Sequence, residues 1–140
     1  RATRGCALSA PVTRGTRGST AEWCSMEPRK PSVAHAGSVA PVPCPCGQSR
    51  RIITRAQSPQ VGLHVTHIVA GEARYHERTT EIYYVLSGHG TIELEGETHE
   101  LTPGTTVHIP PGVKHRGWGD FETVVVTSPA FDADDEFVAD

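Results

Sequence analysis

A series of short β-forming runs, separated by turns, constrains the fold of this chain more than any other feature. The runs are RIITRA, LHVTHIVA, EIYYVLSG, TIELEG, ETHELTPG, TTVHIPPG and ETVVVTSP. Glycines and prolines separate them at intervals of about ten residues, which is typical of antiparallel sandwiches and barrels. Since no persuasive helical periodicity accompanies them, we expect an all-β domain over residues 51–130.

One hairpin is predicted in detail from the stretch TIELEGETHEL. Ile92 and Leu94 alternate with Glu93 and Glu95, so the apolar pair and the charged pair occupy opposite faces of one strand. Gly96 then supplies the turn, because glycine adopts positive φ at low cost. The stretch therefore predicts two antiparallel strands joined at Gly96.

The two ends of the chain differ from this β-rich region. Residues 1–47 are rich in Pro, Gly, Ser, Thr and Arg and have no apolar periodicity, so we expect a flexible arm that cannot offset its ordering entropy. Met26, the only methionine, suggests that residues 1–25 are an over-extended translation start. An organelle transit segment is the competing interpretation, although its Gly and Pro would break the required helix. The acidic residues 131–140 are predicted to be a solvated tail.

Composition excludes several classes of partner. A net charge of −3 offers no basic surface for nucleic acid. No stretch approaches the roughly 18 to 20 consecutive apolar residues that a membrane span needs, and the apolar core of a secretory signal is missing. We therefore expect a soluble, cytoplasmic protein without nucleic-acid or membrane partners.

The cysteines are confined to the first third of the chain, so they do not staple the whole domain. They are Cys6, Cys24, Cys44 and Cys46. The C-x-C pair is shorter than the usual zinc C-x2-C spacing and has no second pair beside it. We interpret Cys44 and Cys46 as loop cysteines beside prolines, with a metal or redox role as the alternative.

The stretch ARYHERTTEIYYVLSGHG, residues 73–90, carries the first chemical signal. Alternate side chains share a face of a strand, so Arg74 and His76 project together, as do Glu81 and Tyr83 on the next strand. The intervening RTT can form the turn that returns Glu81 beside His76. An imidazole and a carboxylate held together suit a divalent metal, because both donate lone pairs.

A further ligand is supplied by PGTTVHIPPGVKHRGWG, in which a strand and a tight turn precede His115. With these residues the chain resembles the cupin superfamily, whose two motifs are G-x5-H-x-H-x(3,4)-E-x6-G and G-x5-P-x-G-x2-H-x3-N. The second motif is matched by Gly104, Pro110, Gly112 and His115, with Gly119 in place of the asparagine; the first is matched by Glu81 and Gly88.

The first motif departs from the family at its histidine pair. Four residues separate His76 from Glu81, which is within the family's range, whereas only two separate Arg78 from Glu81. His76 is therefore aligned with the second histidine, and Arg74 replaces the first. The ligands that the resemblance implies are His76, Glu81 and His115.

Three roles for Arg74 remain open from the sequence. Its guanidinium repels a dication within about 4 to 6 Å, or pairs with Glu81 and satisfies that carboxylate without a metal. In the third, Arg74 swings aside and holds a substrate carboxylate or phosphate by a bidentate contact.

The resemblance covers residues 60–128 and implies a jelly-roll barrel with its site in the interior. It further implies a small metal-dependent enzyme, of dioxygenase, isomerase or lyase type, that uses Fe, Mn, Ni or Zn on a small anionic substrate. We assign catalytic roles to Arg74 and Tyr83, and we expect a homodimer. The alternatives are a non-catalytic module that binds a sugar or another small molecule, with or without metal, and a metal-free isomerase.

Other candidates carry weaker signals. His64 and His67 have an odd separation on one predicted strand, so at most one faces the barrel interior. The facing of His108 is left open. We expect solvated side chains at His89 and His99, and pocket-rim side chains at Trp118 and Phe121.

Overall fold

The computed structural model describes residues 30–140. The predicted translation start at residues 1–25 lies outside this range. The described residues contain nine strands and two short 3-10 turns, so the all-β prediction is confirmed. The strands are β1 (Val42–Cys44), β2 (Gly47–Ile53), β3 (Gly62–Ala70), β4 (Arg74–Tyr75), β5 (Thr80–Leu94), β6 (Glu97–Leu101), β7 (Thr106–Ile109), β8 (His115–Ser128) and β9 (Phe137–Val138). The 3-10 turns span Ala36–Ser38 and Ala133–Asp135.

Strands β5 and β8 are the two longest strands of the described residues, and they lie at the centre of the curled jelly-roll sheet. They pair antiparallel over almost their whole length, from Thr80 opposite Ser128 to Leu94 opposite His115. On its other edge β8 pairs with β3 and then with β4. Strands β6 and β7 both pair with β5. The start of β8 is thereby placed beside β4, where the candidate site lies.

The core follows from the two-residue period of these strands. Along β5 the side chains of Glu81, Tyr83 and Val85 point inward while their neighbours are exposed. Full burial of each large apolar side chain contributes about 1.5–3 kcal/mol. The cluster consists of Cys46, Ile68, Tyr83, Val85, Ile92, Leu101, Val107, Ile109, Phe121 and Val125. Phe121, at 1% exposure, thus packs in the core and is not a pocket-rim residue as predicted.

The β5–β6 hairpin turns at Gly96 as predicted, but β5 ends at Leu94, so Glu95 belongs to the turn and not to the strand face on which it was predicted. Glu95 and Gly96 both have positive φ, of 49° and 87°. Two consecutive residues with positive φ match the twist of an antiparallel pair, so the short turn continues the hairpin. The register places Leu94 opposite Glu97.

The C-terminal end of the predicted flexible arm, residues 42–47, belongs to the sheet. Strand β1 pairs with β2, with Val42 opposite Ser49, and the guanidinium of Arg50 donates to the main-chain oxygen of Val39. These contacts order residues that lack apolar periodicity, which is why the composition could not predict them.

The predicted solvated tail is also wrong. Asp135 is 1% exposed, and β9 pairs with β4, placing Val138 opposite Arg74. The ring of Phe137 stacks on Tyr75, with centroids 5.3 Å apart. Long-range partners therefore overcome the polar composition of this segment. Among the described residues, no helix is long and apolar enough to cross a membrane.

Candidate metal centre

Three strands bring the predicted ligands to one buried place. His76 directly follows β4, Glu81 lies near the start of β5, and His115 begins β8. Their exposed fractions are 3%, 5% and 2%. One candidate ligand atom from each lies within 4.8 Å of the others. The RTT turn and the antiparallel contact between β4 and β8 therefore assemble the group that the spacing indicated.

Each histidine is oriented through its Nδ1 atom. His76 Nδ1 is 2.8 Å from the main-chain oxygen of Asp135, and His115 Nδ1 is 3.0 Å from that of Val113. A carbonyl oxygen only accepts, so each Nδ1 is the protonated nitrogen and donates. In the neutral ring this leaves a lone pair on Nε2. Metal-binding histidines are commonly fixed in this way.

Both Nε2 atoms face the carboxylate of Glu81. His76 Nε2 lies 3.6 Å from Glu81 Oε1, and His115 Nε2 lies 3.2 Å from Glu81 Oε2. Neither Nε2 makes a directional hydrogen bond, although both are buried. Unpartnered buried acceptors are costly, and a cation among these three groups would satisfy all of them. The donor set therefore fits a divalent ion, which is bound by imidazole nitrogen and carboxylate oxygen.

Glu81 is favoured in its charged form. Burial acts to raise the pKa of this carboxyl, but the neighbouring His115, His76 and Arg74 together hold its pKa below the ordinary value. The hydroxyl of Tyr83 donates to Glu81 Oε2 at 3.3 Å. Burial and the charge of Glu81 raise the pKa of Tyr83, so this side chain remains a phenol and a donor.

Arg74 lies beside this group without joining it. Its guanidinium forms no ion pair with Glu81; within residues 30–140 its recorded carboxylate partner is Glu136, with Nε 3.8 Å from Oε2. Arg74 Nη2 donates to Cys46 Sγ at 3.8 Å. The side chain is 8% exposed, yet Nε and Nη1 make no hydrogen bond. Of the roles left open by the sequence, pairing with Glu81 is not the one seen.

A cavity of about 180 Å³ opens beside Arg74. It is lined in part by Arg74, Glu81 and Tyr83, and also by His64 and Arg51. His64 is buried, and burial together with the charge of Arg51 lowers its pKa, so it remains neutral. The cavity thus combines a fixed cation, a neutral imidazole and the carboxylate of the candidate metal group.

The remaining predicted candidates lie elsewhere. His67 projects outward to Asp120, with Nε2 2.8 Å from Oδ1, which confirms that only one of His64 and His67 faces inward. Trp118 is half-buried, and the guanidinium carbon of Arg116 lies 5.3 Å from the centroid of its ring. The other histidines on strands β5, β6 and β7 are exposed: His89, His99 and His108.

The most important residue that the sequence did not indicate is Asp135. Its main-chain oxygen orients His76, while its carboxylate accepts hydrogen bonds from the main-chain N–H groups of Glu77 and Arg78 and from the Thr79 hydroxyl, the last at 2.6 Å. Its partners lie more than fifty residues away in the sequence. No local pattern could have identified it.

Comparison with known proteins agrees with this geometry. The family model "Cupin domain" matches residues 63–127, which include all three candidate ligands. An uncharacterized protein of Streptomyces coelicolor is 30% identical over 78 residues, covering 54% of this chain and 74% of that protein. An uncharacterized protein of Methanocaldococcus jannaschii is 42% identical over 41 residues; this match covers 29% of this chain and 33% of that protein's length.

Solved structures give the same result. The crystal structure of a protein from Planctomyces limnophilus is 36% identical, has a TM-score of 0.74, and matches over 77% of this chain and 96% of that chain. Two enzymes share the fold alone. They are Pac13 of Streptomyces, a nucleoside dehydratase (TM-score 0.68, 19% identity, 79% and 92% coverage), and the ectoine synthase from P. lautus (0.66, 23%, 77% and 89%). This chain belongs to the cupin-domain family.

Proposed function

We propose that this protein is a metal-dependent enzyme that acts on a small anionic organic molecule. The observation that carries this proposal is the pair of unpartnered Nε2 atoms facing Glu81, at the edge of a cavity that also contains a guanidinium with two N–H donors that make no hydrogen bond. The histidines and the carboxylate form a donor set that suits a cation, and the guanidinium of Arg74 keeps two N–H donors without a hydrogen bond although Glu136 lies 3.8 Å from its Nε.

His76, Glu81 and His115 are the residues that would hold the metal. Two histidines and one carboxylate suit Fe, Mn, Ni or Zn, and Fe(II) in such a site keeps open positions. When bound, the metal supplies Lewis acidity or a centre for oxygen chemistry. The Nδ1 contacts to main-chain oxygens keep both rings in one orientation. The rings are therefore ordered before a metal binds, and binding costs less side-chain entropy.

Arg74 and Tyr83 are the residues that would hold and orient the substrate. Arg74 Nε and Nη1 make no hydrogen bond, and a guanidinium can engage a carboxylate or phosphate through two parallel hydrogen bonds. A cavity of about 180 Å³ admits only a small molecule. The Tyr83 hydroxyl lies at the boundary between this cavity and Glu81, where it can donate to an oxygen of either.

The reaction class is of the dioxygenase, isomerase or lyase type. Enzymes that share this fold include a dehydratase and a synthase, so the barrel accommodates more than one chemistry. The position of Tyr83, a neutral phenol beside a charged carboxylate, favours a step in which a proton is donated to or taken from a bound substrate.

Metal content of the purified full chain tests the first half of this proposal. Protein expressed with Fe, Mn, Ni and Zn supplied should contain close to one equivalent of metal by elemental analysis, and His76→Ala and His115→Ala should each lose it. His108→Ala is the matched control, because this histidine is exposed on β7. Metal-free parental protein under these conditions would overturn the proposal in favour of a non-catalytic binding module.

Anion binding tests the second half. Titration with phosphate and with small mono- and dicarboxylates, followed by calorimetry, should give saturable binding that Arg74→Gln abolishes. Arg55→Gln is the control, because its guanidinium is already paired with Asp132 at 3.0 Å on the surface. Equal binding by the parent and by Arg74→Gln would refute an anion site at Arg74.

We propose in addition that the protein is a homodimer. The outward side chains of β5, which are Ile82, Tyr84 and Leu86, are 40%, 49% and 42% exposed. Val126 and Val124 lie opposite the first two on β8. This continuous apolar face on a central strand is suited to packing against a second copy.

A further inference from the structure

The turn between β1 and β2 holds two cysteines in a fixed relationship. Cys44 lies opposite Gly47 in the strand register, with Pro45 and Cys46 as the turn residues between them. Proline presets φ at the first turn position. Gly47 has φ of +148°, and a Cβ atom there would lie 2.2 Å from the main-chain oxygen of His67. The turn is therefore fixed by Pro45 on one side and by close packing on the other.

The two sulfur atoms are in contact within this turn. Cys44 Sγ lies 3.2 Å from Cys46 Sγ, and both residues are free thiols. A disulfide bond is about 2.05 Å long, so the sulfurs need to approach by about 1.2 Å to become bonded. A side-chain rotation of this size does not require the strands to separate. The pair is thus arranged for bond formation before any reaction.

The two thiols have different surroundings. Cys44 is partly exposed and Cys46 is 4% exposed, and both line the cavity that contains Arg74. The hydrogen bond from Cys46 lowers the pKa of Cys44 to about 6, and the charge of Arg74 acts in the same direction. The same hydrogen bond, followed by burial, raises the pKa of Cys46. At neutral pH the accessible sulfur is therefore a thiolate and the buried one a thiol.

We propose that Cys44 and Cys46 form a redox-active dithiol that is oxidised by a small hydroperoxide, with Cys44 as the attacking sulfur and Cys46 as the resolving one. Neither sulfur belongs to the candidate metal group, although both line the cavity that Glu81 and Arg74 also line, and the thiol chemistry does not depend on the proposed function. Access is through the cavity, where Arg74 Nη2 contacts Cys46 Sγ and the unpartnered Nε and Nη1 can hold the polar end of the oxidant.

The chemistry balances in two steps. The Cys44 thiolate attacks the terminal oxygen of the hydroperoxide, the O–O bond breaks, and the departing alkoxide takes a proton and leaves as an alcohol. Cys44 is then a sulfenic acid. The Cys46 sulfur attacks the Cys44 sulfur, the S–O bond breaks, and the hydroxide leaves as water with the Cys46 proton. Two thiols and one hydroperoxide thus yield one disulfide, one alcohol and one water.

Oxidation of the full chain by one equivalent of hydrogen peroxide tests this proposal. Trypsin leaves Cys44 and Cys46 together on the peptide of residues 30–50, which contains neither Cys6 nor Cys24. This peptide should lose about 2 Da and become resistant to alkylation, as expected for an internal disulfide. Dithiothreitol should restore both the mass and the alkylation. A peptide that remains fully alkylated after peroxide treatment overturns the proposal.

Single substitutions distinguish the attacking sulfur from the resolving one. They are made in a protein that also carries Cys6→Ser and Cys24→Ser, so that no other thiol reacts. Cys46→Ser keeps a donor beside Cys44 but cannot resolve, so Cys44 should stall as a sulfenic acid that a 1,3-diketone traps. Cys44→Ser should leave no trappable species. Trapping at Cys46 in Cys44→Ser to the same extent as at Cys44 in Cys46→Ser would contradict the assignment.

Alkylation rates at pH 7 give a readout that a merely structural turn would not provide. At pH 7 a pKa near 6 makes the thiolate fraction about thirtyfold larger than that of an ordinary thiol. A thiolate of lower pKa is also a weaker nucleophile, by about tenfold here, so the net gain in rate is smaller. Cys44 should therefore react about threefold faster than Cys24 does in the unfolded parental chain, which retains Cys24. Cys46→Ala removes the hydrogen bond and should abolish this excess, whereas Cys46→Ser should keep it; equal rates in both variants would contradict the proposal.

Discussion

His76 Nδ1 donates to the main-chain oxygen of Asp135, 59 residues further along the chain, at 2.8 Å. The carboxylate of Asp135 accepts hydrogen bonds from four donors of the β4–β5 loop: the main-chain N–H groups of Glu77 and Arg78, the Arg78 Nε and the Thr79 hydroxyl. Asp135 is thus the point at which the C-terminal segment and the candidate metal centre are joined.

Asp135→Asn should destabilise the domain by about 1–3 kcal/mol, because the amide cannot accept from the Thr79 hydroxyl and both loop N–H groups at once. Urea unfolding measures this difference. Asp134→Asn, at an exposed neighbouring position, should change stability by less than about 0.5 kcal/mol. Equal stabilities of the two variants would show that the Asp135 network does not contribute.

The contribution of Asp135 should depend on pH. Burial acts to raise its pKa, but hydrogen bonds from Thr79 and Arg78 together with the charge of Arg78 hold the pKa below its ordinary value. A carboxyl with a lowered folded-state pKa stabilises the fold fully above its unfolded pKa of about 3.9, and this stabilisation is lost as pH falls through the folded value. Unfolding free energies of parent and Asp135→Asn should therefore converge below pH 4. A constant difference from pH 7 to pH 2 would contradict this.

Arg74→His should raise metal affinity by roughly tenfold or more, because it adds an imidazole at the family's first histidine position. The main chain at Arg74 is already paired with His115, one of the proposed ligands. Competition with a chelator measures the affinity. Arg74→Gln is the matched control, since it removes the charge without adding a ligand; an equal gain in both would mean that only charge removal matters.

Tyr84→Glu should convert the proposed dimer to a monomer, because a carboxylate at the centre of the outer β5 face cannot be buried without a partner. Sedimentation velocity gives the oligomeric state. Val33→Glu places the same charge at a fully exposed apolar residue away from this face and should leave the dimer intact. A monomeric parent would refute the homodimer, and a dimeric Tyr84→Glu would place its interface elsewhere.

Gly90→Ala should cost about 1–3 kcal/mol or more, since a Cβ atom there would lie 2.4 Å from the ring of Phe121 and 2.7 Å from the main-chain oxygen of Trp118. Gly96→Ala has no atom within 4 Å of its Cβ but has φ of +87°. Its cost is confined to backbone strain of about 1 kcal/mol. The Tm of Gly90→Ala in thermal unfolding should be lower than that of Gly96→Ala, and the reverse order would contradict the packing argument.

The sequence predicted what depends on local period and spacing. The β-rich runs, the turn at Gly96 and the opposite facing of His64 and His67 follow from patterns shorter than about ten residues. The convergence of His76, Glu81 and His115 was predicted as well, because the motif spacings encode a strand, a turn and a neighbouring strand.

The sequence could not predict contacts that depend on distant partners. Residues 131–140 read as a polar tail, yet Asp135 is buried because its donors come from the β4–β5 loop. Cys46 reads as a loop cysteine, yet it belongs to the core cluster because β2 packs over the barrel interior. The orientation of Arg74 depends on Glu136 and Cys46, neither of which is near it in the sequence.

Part of the cavity lining lies outside the segment that matches the family, which bears on how the cavities of related proteins can differ. The matched family segment, residues 63–127, contains the three candidate ligands, but Cys44, Cys46, Arg51, Phe131 and Glu136 lie outside it and all line the cavity. Two proteins of the family can thus share the same candidate ligands and differ in the flanking segments that line the cavity. The cavity lining can therefore differ through the segments before and after the matched barrel while the three candidate ligands stay the same.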